Sequence, residues 1–358
     1  MKKKILFVAP HRKGRAPSQR FRFEQYLDVL KENGFEWEFS ELLDEADDKV
    51  FYSSGNFLSK IRTFFKGRRK RKADVRRAND FDIIFIQREA FMTGETWIEK
   101  AFADSKAKVI YDFDDAIWML DVSKGNRIFS WMKDPKKTSE LIAMSDLVFA
   151  GNQYLADYAK KFNPKVEIVP TTIDTSLYKR VETQKRDRVI IGWSGSLTTI
   201  KHFEHALEFL KNIKRKFGDR VAFKVIGDER YVNEELGIKG IRWTEQDEVK
   251  ELSSFDIGIM PLPDDEWAKG KCGLKGLQYM ALGIPTIMSP VGVNTEIIRD
   301  GENGFLAKTD DEWTYKLSLL IENADLRKRI GEEAVKAVEE KYSVNAWKGR
   351  YVELFSDL

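Results

Sequence analysis

The sequence contains very little cysteine and histidine. Among its 358 residues there is one cysteine, Cys272, and there are three histidines, His11, His202 and His205. A single thiol excludes an intramolecular disulfide and a zinc site built on several thiolates. With so few histidines, and no compelling Ser-His-Asp order, a hydrolase triad is not expected.

Long apolar runs are also missing. No run approaches the roughly 18 residues that cross a bilayer, and the apolar part of MKKKILFVAP is too short for a signal peptide. We therefore expect a cytoplasmic protein. The length of 358 residues, with 42% hydrophobic and 33% charged residues, predicts a globular chain of about two domains. The net charge of +3 is too small to predict a binder of polyanions.

Short apolar strands alternate with helical segments along the whole chain. In the first half the predicted strands are 5–9, 83–87, 109–112, 147–150 and 166–170. In the second half they are 189–193, 222–226, 257–260 and 284–288. This alternation predicts α/β structure in which helices cover both faces of parallel sheets. The polar stretch 171–188 separates the series into two doubly wound domains, 1–175 and 176–342.

The most informative segment is KCGLKGLQYMALGIPTIMSPVGVNTEIIRDGENGF. Apolar residues at helical spacing predict a helix over 273–281, which Gly283 ends in a left-handed conformation. Lys271 and Lys275 stand one turn apart at the front of this helix and share a face. Two ammonium groups at a helix N-terminus are suited to binding a diphosphate.

The segment IIGWSGSLTTIKHF opens the second domain. A strand ends near Gly192, the small residues Gly195 and Ser196 follow, and a helix begins near Thr199. This order is typical of a phosphate-binding loop, in which small residues let backbone N–H groups approach the anion. Lys201 would add a positive charge. The alternative is an ordinary turn with a solvated lysine.

These two segments resemble the nucleotide-sugar half of the retaining GT-B glycosyltransferases of the family 4 (glycosyl transferases group 1) type. The family pattern is G-L-x-x-L-E-x-M-A-x-G-x-P, followed by D-G-x-N-G. It is matched in order by Gly273, Leu274, Leu277, Met280, Ala281, Gly283, Pro285, Asp300, Gly301, Asn303 and Gly304, and Gln278 stands at the position of the family glutamate. The segment IVPTTID resembles the family linker V-I-P-N-G-V-D.

The resemblance implies the GT-B fold, in which two Rossmann-like domains face a cleft. The first domain would bind the acceptor and the second the donor. The last helix, 343–358, is expected to pack back on the first domain. Lys201 matches a family lysine that grips the donor diphosphate, whereas the neighbouring family arginine has no counterpart here, so that Lys271 and Lys275 are expected to supply the second cation.

The sequence departs from the family at two glutamates that lie eight positions apart. These positions are Gly270 and Gln278 here. Gln278 retains the ability to hydrogen-bond a ribose hydroxyl. The sugar-contacting carboxylate is missing, and the acidic residues at 264–266 are candidates to replace it.

Further donor contacts follow from the resemblance. Gly14 and Ser18, in the loop after the first strand, are expected to approach donor phosphate or acceptor. Arg20 and Arg22 are candidates for contact with an anion, although at most one of them is expected to point into the cleft, and His11 is a further candidate in that loop. Gly227 is expected near the nucleotide base, and Asn294, Thr295 and Glu296 in a loop that meets the donor. The alternatives are a mobile basic surface loop around Gly14, and helix caps at Asn294 and Thr295.

Three carboxylates follow one strand in YDFDDAIW: Asp112, Asp114 and Asp115. Such a cluster suggests metal binding or acid–base chemistry. The resembled family needs no metal for catalysis, so we expect contacts to acceptor hydroxyls, with Asp114 or Asp115 as a candidate polar catalytic group. The alternative is an aspartate that caps the next helix. Gln87, Arg88 and Glu89 form a weaker candidate set at the neighbouring strand.

A basic segment runs from Lys60 to Arg77 and contains ten basic residues and the pair Phe64-Phe65. Such a segment either lies on an anionic membrane surface or forms a solvated charged loop. Many members of the resembled family glycosylate lipid-linked acceptors. Because no nucleic-acid-reading module accompanies the basic segment, nucleic acid is not expected as a partner.

The resemblance thus implies an enzyme that moves a sugar from a nucleotide-diphosphate sugar to an acceptor hydroxyl with retention, in cell-surface polysaccharide or glycolipid synthesis. The donor is a substrate, and no cofactor or metal is expected. Lys201, Lys271 and Lys275 would stabilise the departing diphosphate. Two alternatives remain: a nucleotide-sugar epimerase, and a non-catalytic protein that binds sugar nucleotides or membranes.

Overall fold

A computed structural model shows two structural units. The first comprises Met1–Thr171 and Lys348–Leu358, and the second comprises Thr172–Trp347. The described residues are 2–51, 57–119, 134–182, 187–196 and 198–358, without the side chain of Phe57. The limits predicted from the sequence, 175 and 343, differ from the observed ones by four and five residues.

The first unit is built on a six-stranded parallel sheet. Its strands are β1 (Lys4–His11), β2 (Glu36–Leu43), β3 (Ile83–Gln87), β4 (Lys108–Phe113), β5 (Leu147–Ala150) and β6 (Val166–Ile168). Their order in the sheet is β2-β1-β3-β4-β5-β6. Four of these strands were predicted near their observed positions, the last was predicted two residues too long, and β2 was not predicted.

Helices accompany this sheet. They are α1 (Pro17–Arg20), α2 (Leu27–Glu32), α3 (Glu45–Phe51), α4 (Phe57–Arg76), α5 (Trp97–Ala103), α6 (Lys136–Met144) and α7 (Gln153–Ala159). Aromatic side chains fill the core between these elements and the C-terminal residues of the chain. Phe7 stacks on Phe23 with ring centroids 5.0 Å apart, and Phe355 stacks on Phe85 at 6.0 Å.

The second unit also has a six-stranded parallel sheet. The described residues of this unit form the strands β7 (Val189–Ser194), β8 (Val221–Gly227), β9 (Val232–Asn233), β10 (Ile238–Lys239), β11 (Ile241–Arg242), β12 (Ile257–Met260), β13 (Thr286–Met288) and β14 (Phe305–Leu306). The sheet order is β11-β8-β7-β12-β13-β14, and β9 and β10 form a separate antiparallel ribbon.

The helices of the second unit, and the last helix of the chain, complete the fold. They are α8 (Ile200–Glu204), α9 (Leu207–Phe217), α10 (Glu248–Ser253), α11 (Glu266–Lys269), α12 (Leu274–Ala281), α13 (Asn294–Ile297), α14 (Asp310–Glu322), α15 (Ala324–Lys341) and α16 (Val344–Ser356). Gly283 ends α12 with φ +66°, as the sequence predicts. No described helix is long and apolar enough to cross a membrane.

The order of the second sheet decides where a ligand can bind. Chain connections run from β7 to β8 on one side and reach β12 on the other, so β7 and β12 are neighbours at the switch point of the sheet. In open parallel sheets, ligands bind outside the carboxyl ends of the strands at this point. The segments that follow β7 and β12 carry Lys201, Lys271 and Lys275.

Candidate functional site

Helix α12 is held against the end of β7 by hydrogen bonds and close packing. The hydroxyl of Tyr279 accepts the backbone N–H of Ser194 at 2.7 Å and lies 2.9 Å from its Oγ. Tyr279 is fully buried, and burial raises its pKa, so the hydroxyl remains neutral. Gly276 lets the helix approach β13, since a Cβ there would lie 1.7 Å from the Met288 methyl group. The front of α12 is thereby fixed beside the β7–α8 loop.

Two lysine ammonium groups lie over tryptophan rings. The Nζ atom of Lys275 is 5.6 Å from the centroid of Trp193, and that of Lys271 is 5.2 Å from the centroid of Trp267. Trp193 is 1% exposed and belongs to β7. Because Lys275 lies above a ring of β7, the ammonium group of α12 reaches the loop that precedes Lys201.

The positive charges of all three lysines affect the pKa of the buried His202 ring. Burial first, and then the positive charges of Lys275, Lys271 and Lys201, lower the pKa of His202 to about 4. Such an effect requires the charges to be near the ring. The structure therefore brings the three lysines that the sequence selected to one place, which we call the lysine cluster. His202 itself is 4% exposed, so it does not lie on the outer surface of α8.

The backbone of the β7–α8 loop does not match the predicted phosphate loop. The N–H of Gly195 donates to the carbonyl of Ile226 at 2.9 Å, and the N–H of Ser196 donates to Oγ1 of Thr199 at 2.8 Å. Both groups are therefore used within the unit. The role of the next residue, Leu197, lies outside the described residues.

Gly227 has a packing role, and its expected place near a nucleotide base stays a prediction. It has φ +140°, and a Cβ there would lie 2.4 Å from the carbonyl oxygen of Gly195. The ends of β7 and β8 can approach each other only because this residue lacks a side chain.

Gln278 lies in a buried hydrogen-bond network, not at the surface where a ribose would bind. Its Nε2 donates to the hydroxyl of Tyr178 at 3.0 Å and to Oε1 of Glu248 at 3.1 Å. Glu248 also accepts the Tyr178 hydroxyl at 2.6 Å and Nε1 of Trp243 at 2.9 Å. The predicted ribose contact of Gln278 is therefore replaced by a structural one.

Of the acidic residues at 264–266, two have local partners. The carboxylate of Asp265 caps α11 by accepting the N–H of Ala268 at 2.7 Å. Glu266 forms an ion pair with Lys269. Asp264, in contrast, is exposed and lines a pocket of about 260 Å³ at the ends of β12 and β13. The same pocket is lined by His205, Phe209, Lys308, Asp310 and Trp313.

The loop before α13 does not use its polar residues as caps. Asn294 and Thr295 lie inside this helix, whose N-cap is Val293. Asn294 is fully buried and donates from Nδ2 to the carbonyl of Ser289 at 3.0 Å, while Thr295 Oγ1 donates to the carbonyl of Gly292 at 3.0 Å. Glu296 is exposed, and donor contacts for these three residues stay a prediction.

In the first unit, Gly14 is part of a closed loop. Its N–H donates to Oε2 of Glu24 at 2.8 Å, so it is not directed at a phosphate as predicted. Gln19 donates to Oε1 of the same glutamate at 3.0 Å and to the carbonyl of His11 at 2.9 Å. Burial raises the pKa of Glu24, because a charged carboxylate loses hydration there. Ser18 contributes its carbonyl to this arrangement by accepting Nε2 of Gln87 at 3.2 Å.

The acidic cluster at the end of β4 is paired with arginines. Arg22 is 2% exposed and forms an ion pair with Asp112, so its predicted contact with an anionic ligand was wrong. Arg88 donates to Asp114 at 2.8 Å and to Asp115 at 2.6 Å. No group of side chains that could hold a metal occurs within the described ranges. The helix-cap alternative also fails for the described residues, since no helix begins between Asp114 and 119.

Arg88 has a backbone conformation that the sequence did not indicate. Its φ is +60°, the only positive value outside glycine in the described part of the chain. Tyr111 donates its hydroxyl to the Arg88 carbonyl at 2.9 Å, and Arg88 donates its N–H to the Asp112 carbonyl at 2.8 Å. A strained residue is retained only where its surroundings hold it, and such residues cluster at functional sites.

The remaining histidines differ in environment. His11 has Nδ1 3.9 Å from Asp48 Oδ1, and burial, opposed by Asp48 and assisted by neighbouring arginines, lowers its pKa to about 4. His205 is exposed. Arg20 lies over the ring of Phe21 at 5.0 Å. None of these observations assigns a ligand to the first loop.

The basic segment forms the helix α4, which excludes the loop alternative. Arg71 points into the core, where it is 0% exposed and forms an ion pair with Asp74 at 3.0 Å. Phe64 packs inward on Phe91 at 5.1 Å, whereas Phe65 is 63% exposed. The two aromatics of the pair therefore face different environments.

Comparisons with known proteins agree with this architecture. Residues 188–323 match the family described as Glycosyl transferases group 1. An uncharacterized glycosyltransferase of Methanocaldococcus jannaschii is 27% identical over 168 residues, which are 44% of this chain and 42% of that protein. The N-acetyl-alpha-D-glucosaminyl L-malate synthase of Bacillus anthracis is 28% identical over 115 residues, 32% of this chain and 29% of that enzyme. The chain thus spans less than half the length of either relative.

Solved structures are similar over nearly the whole chain. Sucrose-phosphate synthase from Thermosynechococcus elongatus superposes with a TM-score of 0.70 at 13% identity, covering 99% of both chains. Anabaena HepE, in a complex with UDP and glucose, superposes with a TM-score of 0.70 at 16% identity, covering 99% of this chain and 100% of that one. Residues 188–323 therefore match the group 1 glycosyltransferase family, and the chain as a whole has the GT-B fold.

Proposed function

We propose that the protein transfers a sugar from a nucleotide-diphosphate sugar to an acceptor hydroxyl, with retention of the anomeric configuration. The observation that carries this proposal is the lysine cluster at the switch point of the second sheet. It lies within the residues that match the group 1 glycosyltransferase family.

The positive charge of the lysine cluster is suited to stabilising the negative charge of a leaving diphosphate. In the reaction, the bond between the sugar and the diphosphate breaks, and negative charge develops on the phosphate oxygens. Lys201, Lys271 and Lys275 stabilise this charge more strongly than that of the intact donor, which lowers the barrier. The acceptor hydroxyl then bonds to the anomeric carbon on the face that the diphosphate leaves, and its proton passes to the departing phosphate.

We assign the donor sugar to the pocket beside Asp264. This residue is one of the three carboxylates available to replace the missing family glutamate, and the other two are engaged in a helix cap and an ion pair. A carboxylate there accepts hydrogen bonds from sugar hydroxyls. The neighbouring Trp313 and Phe209 supply apolar surface.

For the acceptor, we retain Asp114 as a candidate polar group in the first unit. Its carboxylate is held by Arg88, whose strained backbone fixes the geometry of the pair. The carboxylate oxygens of Asp114 can accept hydrogen bonds from a hydroxyl group of the acceptor.

We further propose that helix α4 binds an anionic membrane surface and brings the enzyme to a lipid-linked acceptor. Its exposed face carries Leu58, Ile61 and Phe65, which are 82%, 38% and 63% exposed. The cations on the same face, at helical spacing of three or four residues, are Arg62, Arg69, Lys72 and Arg76. None of these four forms an ion pair with another described residue, whereas Lys66, Lys70 and Arg77 do.

A donor screen tests the enzymatic proposal. UDP-, GDP- and ADP-sugars are compared for their ability to raise the melting temperature, since a ligand that binds the native state stabilises it. The stabilising donor is then incubated with sugar and lipid-linked acceptors, and release of the nucleoside diphosphate is measured. The anomeric configuration of the product, read by NMR, tests retention.

The two alternatives give different results in the same assay. A nucleotide-sugar epimerase changes the donor without an acceptor, whereas the proposed transferase releases the diphosphate only when an acceptor is present. A non-catalytic protein binds the donor and gives no product with any acceptor. Either outcome contradicts the proposal.

A further inference from the structure

The transfer reaction proposed above gives no role to His202. It is the third residue of α8 and directly follows Lys201. The next residue, Phe203, lies 5.6 Å from the ring of Trp193, and Lys275 lies 5.6 Å from the same ring. His202 thus adjoins a residue that packs on the same tryptophan ring as Lys275, and it is buried, with 4% of its surface exposed.

The imidazole has an unsatisfied polar atom. Its Nδ1 is buried and has no hydrogen-bond partner within the described residues. A buried polar atom without a partner costs roughly 1–3 kcal/mol, so native structures contain few of them. A hydrophobic side chain would fill this space without that cost, which argues that the titratable ring has a use.

The charged groups with the largest effect on this ring are basic and come from two parts of the chain. Lys201 and His205 are close to it in the sequence, and Lys271 and Lys275 belong to the segment that includes the front of α12. A proton on the ring would add another positive charge to this group. The field of the lysines therefore opposes protonation as long as no anion offsets it.

We propose that His202 couples ligand binding to proton uptake: the ring is neutral in the free protein and takes up a proton when the lysine cluster binds a diphosphate. This inference rests on the proposed function, because the ligand is the diphosphate of a nucleotide sugar. The protonated ring has two N–H donors and a positive charge, so it becomes a further cation of the site. His202 is in this sense a positioning and sensing residue.

The coupling has a definite sign. The complex holds more protons than the separate components, so affinity rises as the pH falls. A diphosphate within about 4–6 Å of a titratable ring shifts its pKa by roughly one to three units. Starting from the pKa of about 4 in the free protein, a rise of about two units makes binding about tenfold tighter at pH 5 than at pH 8.

Two measurements on the full chain test the proposal. With only three histidines, their ring resonances are resolved by NMR and assigned with H11Q, H202Q and H205Q. The pKa of His202 is measured in the free protein, with a nucleotide sugar and with inorganic pyrophosphate. Nucleotide-sugar affinity is measured by calorimetry from pH 5 to 8, a range in which the diester diphosphate of the donor does not titrate.

We expect the His202 resonance to titrate near pH 4 in the free protein and at least one unit higher in the complex. K275M should raise the pKa of His202 in the free protein, because it removes the largest opposing charge. The affinity of H202Q should not depend on pH, whereas H11Q, which alters a histidine of the first unit, should keep the pH dependence of the wild type.

The possible failures are distinguishable. If a nucleotide sugar binds and the His202 resonance does not move, the proton coupling is wrong and the proposed function stands. If nucleotide sugars fail to bind but pyrophosphate binds and moves the resonance, the coupling stands and the proposed function is wrong. If neither ligand binds, or if K275M leaves the pKa of His202 unchanged, the coupling is overturned. Should H202Q not fold, the resonance of the wild-type protein alone decides.

Discussion

Gln278 donates its Nε2 to the carboxylate of Glu248 across 3.1 Å, at the position where the family pattern has a glutamate. The amide of Gln278 can donate a hydrogen bond to the carboxylate of Glu248, whereas an ionised carboxylate at this position has no hydrogen to donate. The departure from the family pattern is therefore matched by a carboxylate that another element, α10, brings to the same place. The two residues lie 30 positions apart in the sequence.

We predict that Q278E destabilises the protein. Two carboxylates at this distance cannot both be ionised, so one pKa must rise or the network must open. We expect the free energy of unfolding at pH 7 to fall by about 1–3 kcal/mol, and the loss to shrink as the pH is lowered to 5, since a proton then bridges the pair. Urea unfolding at both pH values measures this. Equal stability of Q278E and wild type at pH 7 would contradict the network.

A second prediction concerns the glycine that joins the ends of β7 and β8. G227A places a methyl group 2.4 Å from the Gly195 carbonyl oxygen, at φ +140°. We expect the free energy of unfolding to fall by about 2–4 kcal/mol. The control is G349A, in α16, where a Cβ meets no atom within 4 Å. That change should stabilise the protein by up to about 1 kcal/mol, and thermal unfolding compares the two.

A third prediction tests Asp264 as the contact of the donor sugar. D264N keeps the shape of the side chain and removes its charge. We expect turnover to fall about tenfold or more, since hydrogen bonds to a charged group are worth about 1.5–3 kcal/mol. Binding of the free nucleoside diphosphate should change little, because the proposed partner of Asp264 is the sugar and not the diphosphate. Unchanged turnover would remove Asp264 from the site. D265N, which alters only the cap of α11, is the matched control for charge.

A fourth prediction concerns the exposed face of α4. Each cation near an anionic surface contributes about 1 kcal/mol, so R69E/K72E/R76E should weaken binding to vesicles that contain phosphatidylserine by roughly a hundredfold or more. Binding of the wild-type protein should also weaken as salt is raised. Co-sedimentation measures both effects.

The control for this experiment reverses three exposed cations of α15, Lys328, Arg329 and Lys341. Its net charge equals that of the α4 variant, so a loss of binding in the α4 variant alone localises the contact. Equal binding of wild type to neutral phosphatidylcholine vesicles, or equal loss in both variants, would contradict the proposal.

The fold was predictable where apolar runs are continuous. The strands Leu147–Ala150 and Ile257–Met260 have the predicted bounds, because strands that are buried on both faces consist of uninterrupted apolar residues. The edge strand β2, with the sequence EWEFSELL, was missed because its glutamates interrupt that signal. Helix α4 was missed for a related reason, since its charges obscure the apolar periodicity.

The lysine cluster was predictable from local features, because Lys271 and Lys275 share a helix face and Lys201 follows a neighbouring strand. The hydrogen-bond partners of Gly14 and Gln278 could not be predicted in this way. The partner of Gly14 is Glu24, ten residues away, and the partner of Gln278 is Tyr178, 100 residues away. Such pairings depend on the folded chain, which brings these side chains together and withdraws them from a ligand.

The most direct test of the lysine cluster is calorimetric binding of nucleotide sugars to the wild type and to K201M, K271M and K275M. Each variant loses one charge-assisted contact, so we predict that its affinity falls about tenfold or more, while K239M, which alters an exposed lysine of β10, binds like the wild type. If the wild type binds none of the UDP-, GDP- and ADP-sugars, or if the three cluster variants bind as tightly as K239M, the lysine cluster is not a diphosphate site.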